Sequence, residues 1–141
     1  MTVDDHIALI RRFYDEVYNQ GNVAFADQAH ARDYRYHDIT NPDQVVDHAT
    51  FMARNAGFAA AFPDRRVDID DAFGGGDRVV ARATLHATHT GSLGDIAATG
   101  KPVRLASVII YRFAGNQIVE EWEIFDALGM YRQLGLPAPE S

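Results

Sequence analysis

The run Arg78-Val79-Val80-Ala81-Arg82-Ala83-Thr84-Leu85-His86-Ala87-Thr88-His89-Thr90 decides the fold. Its odd positions are apolar until His89, while Arg82, Thr84, His86, Thr88 and Thr90 make the even positions mostly polar. Side chains alternate across a strand, so a sustained period of two predicts a strand with one face on an apolar interior. The same period begins at Arg66: Val67, Ile69 and Phe73 alternate with Asp68 and Asp70, and Gly74-Gly75-Gly76 then makes a turn. Val103 to Phe113 is apolar on both faces over Leu105 to Ile110, as expected of a strand covered on both sides. Ala114-Gly115-Asn116 reads as a hairpin turn into a final strand, Ile118 to Asp126.

Before Arg66 the period is helical. Ile7, Ile10, Tyr14 and Val17 form one stripe of a helix from about Val3 to Asn19, with Thr2 as N-cap, Asp4 and Asp5 at its positive end and Gly21 after its last turn. A short helix is expected from Asn22 to about His30. A third runs from about Asp47 to Phe62, with Phe51, Asn55, Phe58 and Phe62 on one side and Pro63 ending it. A last helical segment spans about Leu128 to Leu134. Helices followed by a meander of long strands predict one α+β domain over residues 1–141, a curled sheet around a conical cavity.

The chain of 141 residues is 47% hydrophobic, carries a net charge of -7 and has no cysteine. That composition excludes a disulfide framework and a thiolate zinc site. Acids spread along the surface with no basic stripe disfavour nucleic acid and anionic membranes as partners. No apolar run is long enough for a transmembrane helix, and the acidic N-terminus is unlike a secretory signal, so a cytoplasmic protein is expected.

If the final strand alternates simply, Ile118, Glu120, Trp122, Ile124 and Asp126 share the apolar face, and Glu121 and Glu123 are solvated on the other. A carboxylate facing an apolar interior is either paired or put to work. Asp126 therefore reads as a general acid/base, or as an acid that caps the following turn or pairs with Arg112 or Arg132. Glu120, about 20 Å from Asp126 at roughly 3.3 Å per residue, reads as a structural ion pair. His89 closes an apolar alternation and is either a proton-transfer partner or a core histidine bonded to backbone. His86 and His89, three apart in a strand, point to opposite faces, so no metal site is expected. Tyr34, Tyr36, His37 and Asp38 lie together, with His37 a possible hydrogen-bonding group, and Trp122 a possible stacking platform. His6, His30 and His48 read as surface residues.

Phe62-Pro63-Asp64, Gly76-Asp77-Arg78-Val79-Val80, Thr88-His89-Thr90-Gly91, Thr99-Gly100-Lys101, Ile118-Val119-Glu120, Trp122, Asp126 and Gln133-Leu134-Gly135 together resemble the SnoaL-like polyketide cyclases of the nuclear transport factor 2-like superfamily. The chain departs from the pattern at Ala87 and at Ala97-Ala98. The resemblance implies a cone-shaped α+β barrel, an antiparallel sheet wrapped around the N-terminal helices, assembled as a homodimer or homotetramer. It also implies ring closure of an aromatic polyketide by intramolecular aldol condensation without a cofactor or metal. Asp126 matches the family's catalytic aspartate, with His89 its expected assistant. Trp122, His37, Tyr36, Tyr111 and Phe51 are expected around the substrate. Some relatives take part instead in hydroxylating a polycyclic substrate of the anthracycline type, and others only bind ligands.

Overall fold

The computed structural model describes residues 1–139. Helix α1 (Val3–Phe13) opens on a capping box: Asp5 N–H donates to Thr2 Oγ1 (3.1 Å) and Thr2 N–H to Asp5 Oδ2 (2.8 Å). The helix then widens into a π-helical stretch, Tyr14–Asn19, which turns Tyr14 and Val17 into the core. Helix α2 (Ala24–Ala29) leads into strand β1 (His30–Asp38), and β2 (Val45–Asp47) pairs antiparallel with β1. Asp47 caps α3 (His48–Ala61) by accepting from Thr50 N–H (2.9 Å). Strands β3 (Arg66–Gly75), β4 (Arg78–Thr88), β5 (Pro102–Ala114) and β6 (Gln117–Phe125) form the meander, and α4 (Ala127–Gln133) follows.

The six strands make one curved sheet in the order β2-β1-β6-β5-β4-β3. Only β1 and β6 run parallel. The sheet does not close, since β2 and β3 are its edges. Strands β1 and β2 are absent from the sequence reading because β1 is rich in charged and aromatic residues rather than in an apolar alternation.

Two inserted residues break the expected alternation. On β6, Phe113 pairs with Ile118 but Arg112 pairs with Glu120, so Val119 is a bulge. Ile118 faces the core, and beyond Val119 the inward row passes to Glu121, Glu123 and Phe125. Trp122 and Ile124 turn outward, the reverse of the expected facing. On β3 the register shifts between Ile69 and Asp71, making Asp70 the extra residue. Phe73, expected inside with Val67 and Ile69, is 60% exposed.

The concave face carries the core in two clusters. One joins Ile10, Phe13, Tyr14 and Val17 to Val79, Ala81, Ile109, Tyr111 and Ile118. The other joins Ala61 and Phe62 to Val103, Leu105, Met130 and Leu134. The convex face of β5, expected to be covered, is open: Val108 is 38% exposed. His6 and His30 are buried rather than on the surface; His6 Nε2 donates to the Gly115 carbonyl (2.9 Å) and its ring stacks on Phe113.

Because a one-residue slip turns every following side chain over, deletion of Val119 drives Trp122 and Ile124 inward and Glu121 out. The Val119-deleted chain is expected to lose its cooperative thermal transition in near-ultraviolet circular dichroism. Retention of that transition would show that the bulge does not set the facing of β6.

Candidate active site

Between the two core clusters lies a cavity of about 240 Å³. The face of α3 that presents Phe51, Arg54, Asn55 and Phe58 forms one wall, at the three- and four-residue spacing of a helix. The π-helical stretch contributes Tyr14 and Tyr18, and the sheet contributes Val67, Leu85, Ser107 and Phe125. Its carboxyl groups come from the adjacent parallel strands β1 and β6, which place Asp38 and Glu123 on the wall with Tyr36.

Those two strands build a ladder. Tyr34 O–H donates to Glu121 Oε1 (2.5 Å) and, one rung nearer the cavity, Tyr36 O–H donates to Glu123 Oε1 (2.7 Å). Asp38 is the register partner of Glu123. Its carboxylate accepts from Thr40 N–H (2.9 Å) and Thr40 Oγ1 (2.6 Å). Behind the wall, the buried hydroxyls of Tyr14 and Tyr111 are hydrogen-bonded to each other.

Burial dominates the electrostatics. It pushes the Glu121 carboxyl up to about 8, aided by the charge of Glu123 and opposed by the Tyr34 hydrogen bond. Glu123 is also raised, by burial first and the Asp38 charge in addition, while the Tyr36 hydrogen bond pulls the other way. Tyr14, Tyr18, Tyr34, Tyr36 and Tyr111 are all pushed up by burial and hold their protons.

Of the residues singled out from the sequence, Tyr36 and Phe51 stand on the cavity wall and Tyr111 backs Tyr14. Asp126 does not stand there. It lies one residue beyond β6, exposed, where its Oδ1 accepts from Gly129 N–H (2.9 Å) and caps α4. A Cβ at Gly129 would push that carboxylate out of its place. The expected facing of Asp126 assumed an unbroken alternation, and the Val119 bulge removes that premise.

His89 is fully buried but away from the cavity lining. Thr99 N–H donates to its Nδ1 (3.1 Å), while His89 N–H donates to the Lys101 carbonyl and Gly100 N–H to the His89 carbonyl. The ring thus ties down the base of the loop from Thr90 to Gly100, beside Phe62.

His37 and Trp122 are on the convex face, stacked with centroids 5.1 Å apart; Glu120 there bridges His37 Nε2 (2.6 Å) and Arg112 Nη2 (3.0 Å). Glu123, read from the sequence as solvated, lines the cavity instead, and sequence reasoning gave no site role to Asp38, Tyr14, Tyr18 or Arg65. The even spacing of Tyr34, Tyr36 and Asp38 was the available signal for a strand row.

The family model described as SnoaL-like polyketide cyclase matches residues 8–134. A proposed polyketide cyclase from Acidithiobacillus ferrooxidans is 32% identical, with a TM-score of 0.80 over 96% of this chain and 98% of that one. AclR, a proposed hydroxylase from Streptomyces galilaeus, is 25% identical, with a TM-score of 0.87 over 96% and 100%. IdmH, a proposed polyketide cyclase from Streptomyces antibioticus, is 26% identical, with a TM-score of 0.81 over 92% and 97%. No curated protein matches the chain. The fold is that of the nuclear transport factor 2-like α+β proteins, and among the described residues no helix is long and apolar enough to cross a membrane.

The raised carboxyl of Glu121 makes stability depend on pH. Its contribution is full below the unfolded value of 4.5 and is lost as pH rises through about 8, because the folded state then gives up a proton it binds more tightly than the unfolded chain. Across that window the wild type is expected to lose roughly 4 kcal/mol relative to Glu121→Gln, as urea titrations at pH 5 and pH 9 measure. Parallel stability profiles for the two proteins would contradict the assignment.

Proposed function

The chain belongs to the SnoaL-like polyketide cyclase family, and from that premise we propose that it closes a ring in an aromatic polyketide by intramolecular aldol condensation, with Asp38 as base and Glu123 as acid. The observation that carries this reading is the register pair Asp38–Glu123 on the cavity wall. Two carboxyl groups in unlike surroundings, Asp38 bonded to Thr40 and Glu123 buried beside Tyr36, divide the work of base and acid between them. Asp38 receives two hydrogen bonds from Thr40, which suit a carboxylate acting as base. Burial first, and the Asp38 charge in addition, raise the pKa of Glu123, which suits an acid.

The chemistry then balances without further groups. Asp38 takes a proton from a carbon flanked by carbonyls, breaking the C–H bond and leaving an enolate. The enolate carbon attacks a second carbonyl of the same molecule, forming the C–C bond. Glu123 gives its proton to the resulting alkoxide, and proton return from Asp38 restores the resting pair. Tyr36 keeps Glu123 in place, and the apolar wall of Phe51, Phe58, Leu85 and Phe125 excludes water and strengthens these charges. Positioned proton transfer supplies about 10²–10⁴-fold, and holding both reacting carbons of one molecule together adds more.

A hydroxylase reading has one observation in its favour, the likeness to AclR. Labelled dioxygen separates the two, since ring closure incorporates none of it. The open convex face, where Ile124 is 44% exposed beside Trp122, is where we place the contact of the homo-oligomer implied by the family resemblance.

The protein is expected to accelerate exchange of the α-proton of a naphthoylacetate ester in deuterated water, followed by proton NMR. Asp38→Asn should lower that rate by about 10²-fold or more, whereas Glu123→Gln should retain exchange, because Glu123 acts only after the carbon–carbon bond has formed. Asp126→Asn should leave it unchanged, because asparagine caps a helix about as well as aspartate. Loss of exchange in Asp126→Asn with a full rate in Asp38→Asn would return the role to Asp126.

A further inference from the structure

One cation on the cavity wall has no role in the proton transfers. Arg65, just past the end of α3, is half-buried and lines the cavity with Tyr18, Asn55 and Val67. Its Nη1 donates to Asn55 Oδ1 (2.8 Å), and its guanidinium carbon lies 5.0 Å from the centroid of the Tyr18 ring. Both partners are neutral. Among the described residues no carboxylate forms a salt bridge with Arg65, and burial lowers its pKa.

Such an arrangement is costly for stability alone. Withdrawing a guanidinium from water is repaid by a carboxylate or phosphate that uses its planar fork, and a single amide oxygen occupies one of its five N–H donors. Asn55 and Tyr18 fix the plane of the group and leave donors beyond the one given to Asn55. Arg54, exposed on the same face of α3, adds a second positive charge to the cavity lining of a protein whose net charge is -7. The remaining wall is largely aromatic and aliphatic. In volume the cavity exceeds the roughly 150 Å³ that holds one benzene ring, and takes about two fused rings.

We propose that the cavity binds a fused aromatic acid, with Arg65 holding a free carboxylate of the ligand and Phe51, Phe58 and Phe125 packing on its rings. This rests on the cyclase reading for the identity of the reacting carbon, and it specifies the substrate class as an aromatic carboxylate rather than its ester. Arg65 lies between α3 and β3, and strands β5 and β4 separate β3 from the β1–β6 pair that carries Asp38 and Glu123.

Isothermal titration calorimetry with naphthoate and methyl naphthoate tests the assignment on the full chain. The wild type is expected to bind naphthoate at least tenfold more tightly than the ester, as charge-assisted hydrogen bonds confer. Arg65→Gln should abolish that preference with ester affinity retained, and Arg65→Lys should keep part of it. Equal affinities in the wild type, tighter binding of the ester, no binding of either probe, or an intact preference in Arg65→Gln would each overturn the proposal. If Arg65→Gln does not fold, the wild-type contrast and Arg65→Lys decide. Glu123→Gln should retain the preference, so failure of the acid–base reading and failure of the carboxylate site give different results.

Discussion

The bulge at Val119 is the constraint on which the rest of this structure depends. Without it, β6 would continue the facing of Ile118 and bury Trp122 and Ile124. With it, the concave face receives Glu121, Glu123 and Phe125, in line with Tyr34, Tyr36 and Asp38 of β1. A bulge also bends its strand and increases the local twist. The extra residues at Val119 and Asp70 therefore act on shape as well as on facing: they help to curl the sheet into the surface that α3 roofs. In this chain the position of the acids and the existence of a cavity to hold them have a common origin.

How far the sequence is legible follows from the same point. The period of two in β4 needs no correction, because the extra residue in its pairing with β3 is Asp70, on the other strand, and the odd positions of β4 fill the core. The first helix was legible through its stripe and its cap, Thr2, whose side-chain oxygen meets a free N–H group, and the third through its apolar stripe and Pro63; that Asp47 caps α3 came from the structure. Strand β1 was not, because its inward row is Tyr34, Tyr36 and Asp38, which resembles a polar loop until its partner strand is known. The site was legible only in part. Phe51 follows from the stripe on α3, but Glu123 and Asp38 could be recognised only after the Val119 slip was seen. No local rule announces such a slip, since it is fixed by pairing with Tyr111, Arg112 and Phe113 on β5. Asp126 and His89 occupy positions where motif and fold coincide, and their contacts here are those of a helix cap and a loop anchor.

The tyrosine–carboxylate ladder illustrates how a small domain carries buried acids. Each inward glutamate is matched by a tyrosine of the neighbouring strand whose hydroxyl gives it a hydrogen bond and whose ring fills the space around it. Neutral partners satisfy the carboxyl groups and stabilise their ionised form less than an arginine would. The cavity arginines are kept apart, on α3 and just beyond it, and the convex face holds the Arg112–Glu120–His37 network. Segregating charged pairs from neutral ones lets the two faces of one sheet differ in polarity although their residues alternate along the same strands.

The outward turn of Trp122 also fixes what light can report. It is the only tryptophan among the 141 residues, it stacks on His37, and the Arg78 guanidinium lies over it. Its emission is an indicator of the convex face, responsive to anything that covers that surface. The cavity is lined instead by Tyr14, Tyr18 and Tyr36. Tyrosine absorption and emission therefore observe the interior while tryptophan observes the exterior, giving the two sides of the sheet separate intrinsic optical labels.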